Sequence, residues 1–220
     1  MTIEALPALP RSERTGHTGD RVRHVLQEAI LESLLPPGTH LNADSLAKRL
    51  GVSHIPVREA LRSLAADGWI ELRPHAGAFV RPRDEQELAD LFEARQLLES
   101  RSAALAADRR TAAQLAALDA VLAEQAATSD PLTLARLDAR FHVQVAECSQ
   151  NALMTGFVRT LSLRARFYCS AVAPDRADPS LREHTALVDA IRRRDAPAAT
   201  RIARAHVTST GTHVLKALRG

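Results

Sequence analysis

Apolar side chains recur at steps of three and four from Asp20 onward. In DRVRHVLQEAILESLL they fall at Val22, Val25, Leu26, Ala29, Ile30 and Leu34, with Ser33 on the same stripe, which predicts an amphipathic helix with one buried face. Asp20 is placed to cap its start, and Pro36-Pro37-Gly38 to stop it. A short second helix is predicted in NADSLAKRLGV, with Asn42 or Asp44 as cap, Leu46, Ala47 and Leu50 inward, and Gly51 as its stop. A third starts after Ser53, tolerates Pro56 in its first turn, buries Val57, Ala60, Leu61, Leu64 and Ala65, and ends at Gly68. WIELRP and AFVRP then read as two extended runs around His75-Ala76-Gly77, a β-hairpin with glycine at its tip. Three helices followed by a hairpin, over residues 20–81, make a winged helix-turn-helix. Residues 1–19 show no sustained period and read as a mobile tail.

After Val80 the run RPRDEQ has no apolar face, so residues 82–85 are expected to link two domains. Residues 86–220 read as helix to the end. One stripe runs through Leu88, Leu91, Phe92, Leu98, Ser102 and Leu105, and a second through Leu115, Leu118, Val121 and Leu122 before Thr128-Ser129-Asp130-Pro131. A third helix is expected from about Leu132 to Ser149, and a fourth, capped by Asn151, to about Val172. APDRADPS reads as a loop, followed by a fifth helix from about Leu181 to Arg194 and a sixth from Asp195 to about Leu218. The predicted fold is mainly α: a winged helix-turn-helix joined to an all-helical bundle of about six helices.

Composition narrows the class further. Aromatic residues are only 3% of the chain and alanine runs fill its second half, which favours helices over strands. No stretch approaches the roughly 20 uninterrupted apolar residues of a membrane span, and the start lacks a leader pattern, so the expected location is cytoplasmic, with no membrane partner. Cys148 and Cys169 lack paired zinc spacing and are expected to be reduced core residues. The net charge of +3 is spread over both halves and identifies no nucleic-acid-binding half.

The candidate chemistry lies in the second domain. Asp138 and His142 are four residues apart beside the stripe of Leu134, Leu137, Phe141, Val145 and Cys148, so their side chains stand one above the other. A hydrogen-bonded pair and an exposed flank compete there with two ligands of one cation. His184, among Leu181, Leu187, Val188 and Ile191, and His206, one turn after Ile202, add two histidines from two further helices. One acid and three histidines form a donor set suited to zinc, nickel, manganese or iron, unless the histidines are satisfied core residues. Arg95 stands on an apolar stripe, paired with Glu99 or Glu93 or facing a cavity as a clamp for a ligand carboxylate. Arg164 and Tyr168, one turn apart, are further candidates for the cavity wall. His213 shares a helical face with His206, whereas His17, His24 and His40 read as surface residues.

LAKRLGVSHIPVREALRSLAADGWIELRPHAGAFV resembles the DNA-binding domain of the GntR family of bacterial transcription regulators. The second domain is similar to the FCD ligand-binding domain of that family's FadR subgroup, whose metal-binding members use an Asp-x-x-x-His pair and two later histidines. That pattern falls on Asp138, His142, His184 and His206. The resemblance strengthens the metal reading, a divalent first-row ion with zinc first among the candidates; beside it the reading places a small carboxylate effector clamped by Arg95, with Arg164 and Tyr168 as candidates for the cavity wall. A homodimer on a palindromic double-stranded DNA operator is expected, because one recognition helix covers too few base pairs for specificity.

In such a motif the second helix of the pair enters the major groove with its N-terminal residues toward the bases, here Ser53, His54, Pro56, Val57 and Arg58, with Arg62 one turn later. Arg58 is the candidate for a bidentate guanine contact, against an intrahelical pair with Glu59, while Arg49 and Arg73 are candidates for phosphate. His75 and Gly77 would form the wing tip. His54 stands where relatives usually carry arginine, and Ala76 where they often do. The reading is therefore a transcription regulator, a repressor, whose operator affinity follows a small organic acid. A sensor of the ion itself and a metal-dependent hydrolase are the alternatives.

Overall fold

The computed structural model of the chain describes residues 3–8, 18–169 and 173–219. The chain divides into two compact units, Met1–Arg83 and Asp84–Gly220. The first contains α1 (Thr18–Leu31), α2 (Ala43–Leu50), α3 (His54–Ala66), β1 (Ile70–Arg73) and β2 (Gly77–Val80). Asn42 settles the start of α2, its side chain accepting from the backbone N–H groups of Asp44 and Ser45, and Gly51 ends it in the left-handed conformation at φ 68°. Ser53 occupies the cap position of α3 without a side-chain cap bond. β1 and β2 pair antiparallel, Ile70 opposite Val80 and Arg73 opposite Gly77. The tip needs positive φ at His75 (59°) and Gly77 (100°). A Cβ on Gly77 would lie 2.7 Å from His40 Nε2, so that exposed ring would have to shift, and the positive φ would strain any side chain there.

Two expectations change in this unit. Helix α1 stops at Leu31, because the chain turns at Ser33 with φ 56°. The segment before α1 is not uniformly a free tail: Ile3–Ala5 forms a 3₁₀ turn and Leu6 is fully buried. The rest of that tail, His17 included, lies outside the described residues.

The second unit is built from α4 (Glu85–Arg109), α5 (Ala112–Ala126), α6 (Pro131–Cys148), α7 (Ala152–Cys169), α8 (Ala173–Arg192) and α9 (Ala196–Arg219). Asp84 caps α4 by accepting from the Glu87 N–H at 2.8 Å, with Glu85 and Glu87 in the first turn and Arg109 in the last, each favourable to the helix dipole. Thr111 and Gln114 form a reciprocal capping box on α5. Asp130 caps α6 with Pro131 in its first turn, and Asp195 accepts from the Ala198 N–H at the start of α9.

The shared core of the bundle joins Leu118, Val121, Phe141, Val145, Val188 and Ile191. Cys148 belongs to it, and burial pushes its thiol up to about 11, so it stays protonated at neutral pH. Gly211 lets α9 approach α4 closely, since a Cβ there would meet Phe92 Cδ1 at 2.7 Å.

The main departure in this unit is residues 173–180, which are helical where a loop is expected. Pro174 falls in the first turn of α8, where its missing N–H costs nothing, and Pro179 is carried inside the helix. Arg176, seven residues before Glu183 and so on the same face, donates to Glu183 at 2.7 Å and to Ser209 and Thr210 of α9, tying this first stretch to its neighbour. The expected end of α7 near Val172 lies outside the described residues.

Candidate metal centre and DNA-facing groove

Asp138 and His142 stand one turn apart on α6, His184 on α8 and His206 on α9, and their ligand atoms all lie within 4.8 Å of one another. His206 Nε2 is 3.3 Å from His184 Nε2 and 3.2 Å from His142 Nε2. Asp138 places Oδ2 3.8 Å from His142 Nε2 and Oδ1 3.7 Å from His184 Nε2. The three imidazoles are buried, and Phe141 stacks on His184 with ring centroids 3.9 Å apart.

The opposite nitrogen of each ring explains this convergence. His142 Nδ1 donates to Glu99 Oε2 at 2.8 Å, His206 Nδ1 to Glu183 Oε2 at 2.7 Å, and His184 Nδ1 to Gln125 Oε1 at 3.1 Å. A carboxylate only accepts, so Nδ1 of His142 and of His206 carries a proton, and in the neutral ring the lone pair is left on Nε2. Lone pairs aimed at one point repel unless a cation lies between them. Two nitrogens on one ion, each at roughly 2.0–2.1 Å, would be about 2.8–3.4 Å apart from octahedral to tetrahedral angles, a range that contains both observed separations. The donor set of three imidazoles and one carboxylate therefore fits a divalent first-row ion.

Electrostatics favour the ligating form. Burial first, then neighbouring His206, His142, Arg95 and Arg176, holds His184 well below the ordinary histidine range. Burial lowers His206 as well, against the opposing pull of Glu183. Burial would push Glu99 up, but Arg95 and then His142 outweigh it and hold the carboxyl far below its usual range.

Arg95, itself 1% exposed, donates from Nε to Glu99 Oε1 at 2.6 Å. Of the two readings of Arg95, the pair with Glu99 is the one observed, and the side chain supports the ligand shell from behind. Arg164 and Tyr168 also stand away from the cavity: Tyr168 OH donates to Glu87 Oε2 at 2.7 Å, and Arg164 lies 3.6 Å from Glu87 Oε1. The pocket that opens beside Asp138 is instead lined by Arg166, Arg176, Gln125, Leu134 and Leu181. Arg166 lies two residues from Arg164, on another face of α7. His213 is not part of the cluster.

Glu99 and Glu183 escaped sequence reading because the histidines they orient are distant in sequence. The one available signal was Glu99 itself, an acid four residues after Arg95 on an apolar stripe. Glu99→Gln is expected to weaken metal binding about 10–100-fold, read by competition against a chromophoric chelator. Unchanged affinity would mean that Glu99 merely fills space.

In the first unit, Arg58, Arg62, Arg73, His75 and Gly77 line one groove between α3 and the hairpin. Arg73 also lies over the Phe79 ring, its Cζ 4.4 Å from the centroid, and donates to Glu71. His40 is exposed and stacks on Phe79, while His24 is simply exposed. Ser53 and His54 are exposed at the start of α3, with His54 Nδ1 3.0 Å from Asp44 Oδ1. Pro56 is half-buried, and Arg49 is exposed on α2 outside that groove. Val57 is a correction: it is fully buried and holds α3 to its own unit, so its side chain cannot face bases.

No described helix is long and apolar enough to cross a membrane. Residues 18–80 match the model of bacterial regulatory proteins of the gntR family, and residues 90–209 match the FCD domain. The Nta operon transcriptional regulator of Aminobacter aminovorans is 35% identical over 133 residues, 60% of this chain and 63% of its own length. The galactonate operon transcriptional repressor of Escherichia coli is 30% identical over 215 residues, covering 87% of this chain and 94% of that one. The structure of E. coli McbR/YncC superposes with a TM-score of 0.79 at 21% identity, covering 94% of this chain and all of that chain, which speaks for the fold. The chain thus belongs to the GntR family of bacterial regulatory proteins and is a DNA-binding transcriptional regulator whose second unit is an FCD domain.

Proposed function

We propose that the protein is a cytoplasmic repressor that binds a palindromic operator as a homodimer and reports a small carboxylate. Asp138, His142, His184 and His206 would hold a divalent first-row ion, zinc first among the candidates, and the carboxylate would complete its coordination from the pocket beside Asp138. Arg166 and Arg176 on the wall of that pocket suit an anion. The observation that carries this reading is the convergence of three Nε2 atoms, each backed by an acceptor on Nδ1, beside a pocket lined by two guanidiniums. A ligand that binds one arrangement of the dimer better than another would change operator affinity where the operator also prefers one of them, and the operator would change ligand affinity by the same factor.

The test is a titration of short organic acids against the metal-loaded protein on labelled operator. At least one acid is expected to shift operator affinity about 5–150-fold. If no acid shifts it while the ion alone does, the protein senses the ion.

A further inference from the structure

Among the described residues of the first unit, the large apolar side chain left most exposed is Ile55, at 69% in the first turn of α3. Its direction follows from the helix. Leu64, fully buried, lies nine residues on, half a turn around the axis at about 100° per residue, so Ile55 points away from the face that packs on its own unit. Arg62 lies within about 20° of the same line and Arg58 within about 60°. From His54 to Arg62 the other exposed side chains are His54, Arg58, Glu59 and Arg62, all polar or charged. A single aliphatic group therefore stands at the leading end of a face that carries two arginines.

What such a group can recognise limits what it meets. The chain is a DNA-binding regulator, and α3 is the second helix of its helix-turn-helix, the one whose N-terminal residues meet base edges. In the major groove the base pairs present hydrogen-bond donors and acceptors, and the apolar feature among them is the C5-methyl group of thymine. The Ile55 side chain has no donor or acceptor, so it can form no hydrogen bond to a base edge, whereas against a methyl group it removes both apolar surfaces from water. Its branching at Cβ restricts χ1, so little rotamer freedom is lost on docking. Val57, two residues later, is buried and cannot make such a contact. We propose that Ile55 reads a thymine methyl group in the operator, and so determines specificity at a base pair next to the one met by Arg58. This needs only DNA binding by α3, and neither the ion, the carboxylate nor the dimer.

The test uses operator DNA selected from a random library by the full chain, purified without chelator. Each thymine of the selected sequence is replaced in turn by deoxyuridine, which removes the methyl group and leaves the pairing edge intact. Binding of wild type and of Ile55→Ala is followed by fluorescence anisotropy at fixed salt. At one thymine position deoxyuridine is expected to weaken wild type about four-fold, the worth of one buried methyl group, and to leave Ile55→Ala unmoved. On the thymine operator Ile55→Ala is expected to lose about ten-fold and Ile55→Val less, with the melting temperature of both unchanged because the side chain is exposed. Deoxyuridine tolerated at every position, or weakening wild type and Ile55→Ala by the same factor wherever it acts, would overturn the contact and leave operator binding intact. A library that yields no enriched sequence would overturn sequence-specific binding, and this contact with it.

Discussion

His184→Ala combined with His206→Ala is expected to abolish metal binding, from about one first-row ion per chain to none by elemental analysis of protein purified without chelator. The pair removes two of three imidazole donors and leaves Asp138 and His142 on α6, too few ligands to close a site. The same variant separates the ion from the fold. An ion present at a thousand times its dissociation constant stabilises by about 4 kcal/mol, which raises the melting temperature by roughly 10 °C in a chain of this size. Chelator is therefore expected to lower the wild-type melting temperature by about that amount and to leave the double variant unmoved. Two buried imidazoles cut back to methyl groups destabilise on their own, so Asp138→Asn serves as the milder companion, expected to lose affinity without the cavities. A full ion per chain in the double variant, or none in wild type after addition of zinc, nickel and manganese, would show that these histidines are core residues.

The second large effect belongs to α3. Arg58 and Arg62 are both exposed, one turn apart on the same groove, and should separate cleanly by the kind of DNA they need. A bidentate contact to guanine is worth about 1–3 kcal/mol, and a dimer on a palindrome makes it twice. Arg58→Ala is thus expected to cost about 30-fold to 10⁴-fold on operator and little on random DNA. Arg62→Ala should weaken both alike and reduce the slope of log affinity against log salt by about one per chain. Fluorescence anisotropy on both DNAs at two salt concentrations resolves the two patterns. Equal losses for Arg58→Ala on operator and random DNA would make it a phosphate contact instead. Neither variant is expected to alter folding, in contrast to Val57, whose buried side chain makes it a stability position.

The elements were largely legible because each has a local cause: the apolar stripe of α6, the Asn42 cap, and the left-handed turn at Gly51. The four candidate ligands were legible for a related reason, since a charged or basic ring at the edge of an apolar stripe demands a partner. What was not legible depends on how one helix is rotated against another. The choice between Arg164 and Arg166 is a rotation of α7, which periodicity alone does not settle because both lie among apolar neighbours. Residues 173–180 misled through two prolines, whose cost is met by Arg176 tying α8 to α9, a contact between residues 33 and 34 positions apart. The ring-orienting roles of Glu99 and Glu183 were silent for the same reason: the rings are supplied by other helices, and Glu99 was legible only as a partner for Arg95.

The side chains around the histidines also set an ionic bookkeeping. Glu99, Asp138 and Glu183 contribute three negative charges, and Arg95, Arg166 and Arg176 contribute three positive ones, all at or next to the ligand shell. The formal charges of these six groups cancel. A divalent ion would then leave both its charges uncompensated in a buried setting, where they act over short distances with little screening. If the proposed ion is bound, such a centre would favour anions over neutral molecules. Phosphate, acetate or citrate in the buffer would then be expected to compete with the proposed effector, and an effector affinity measured in one buffer would not carry over to another.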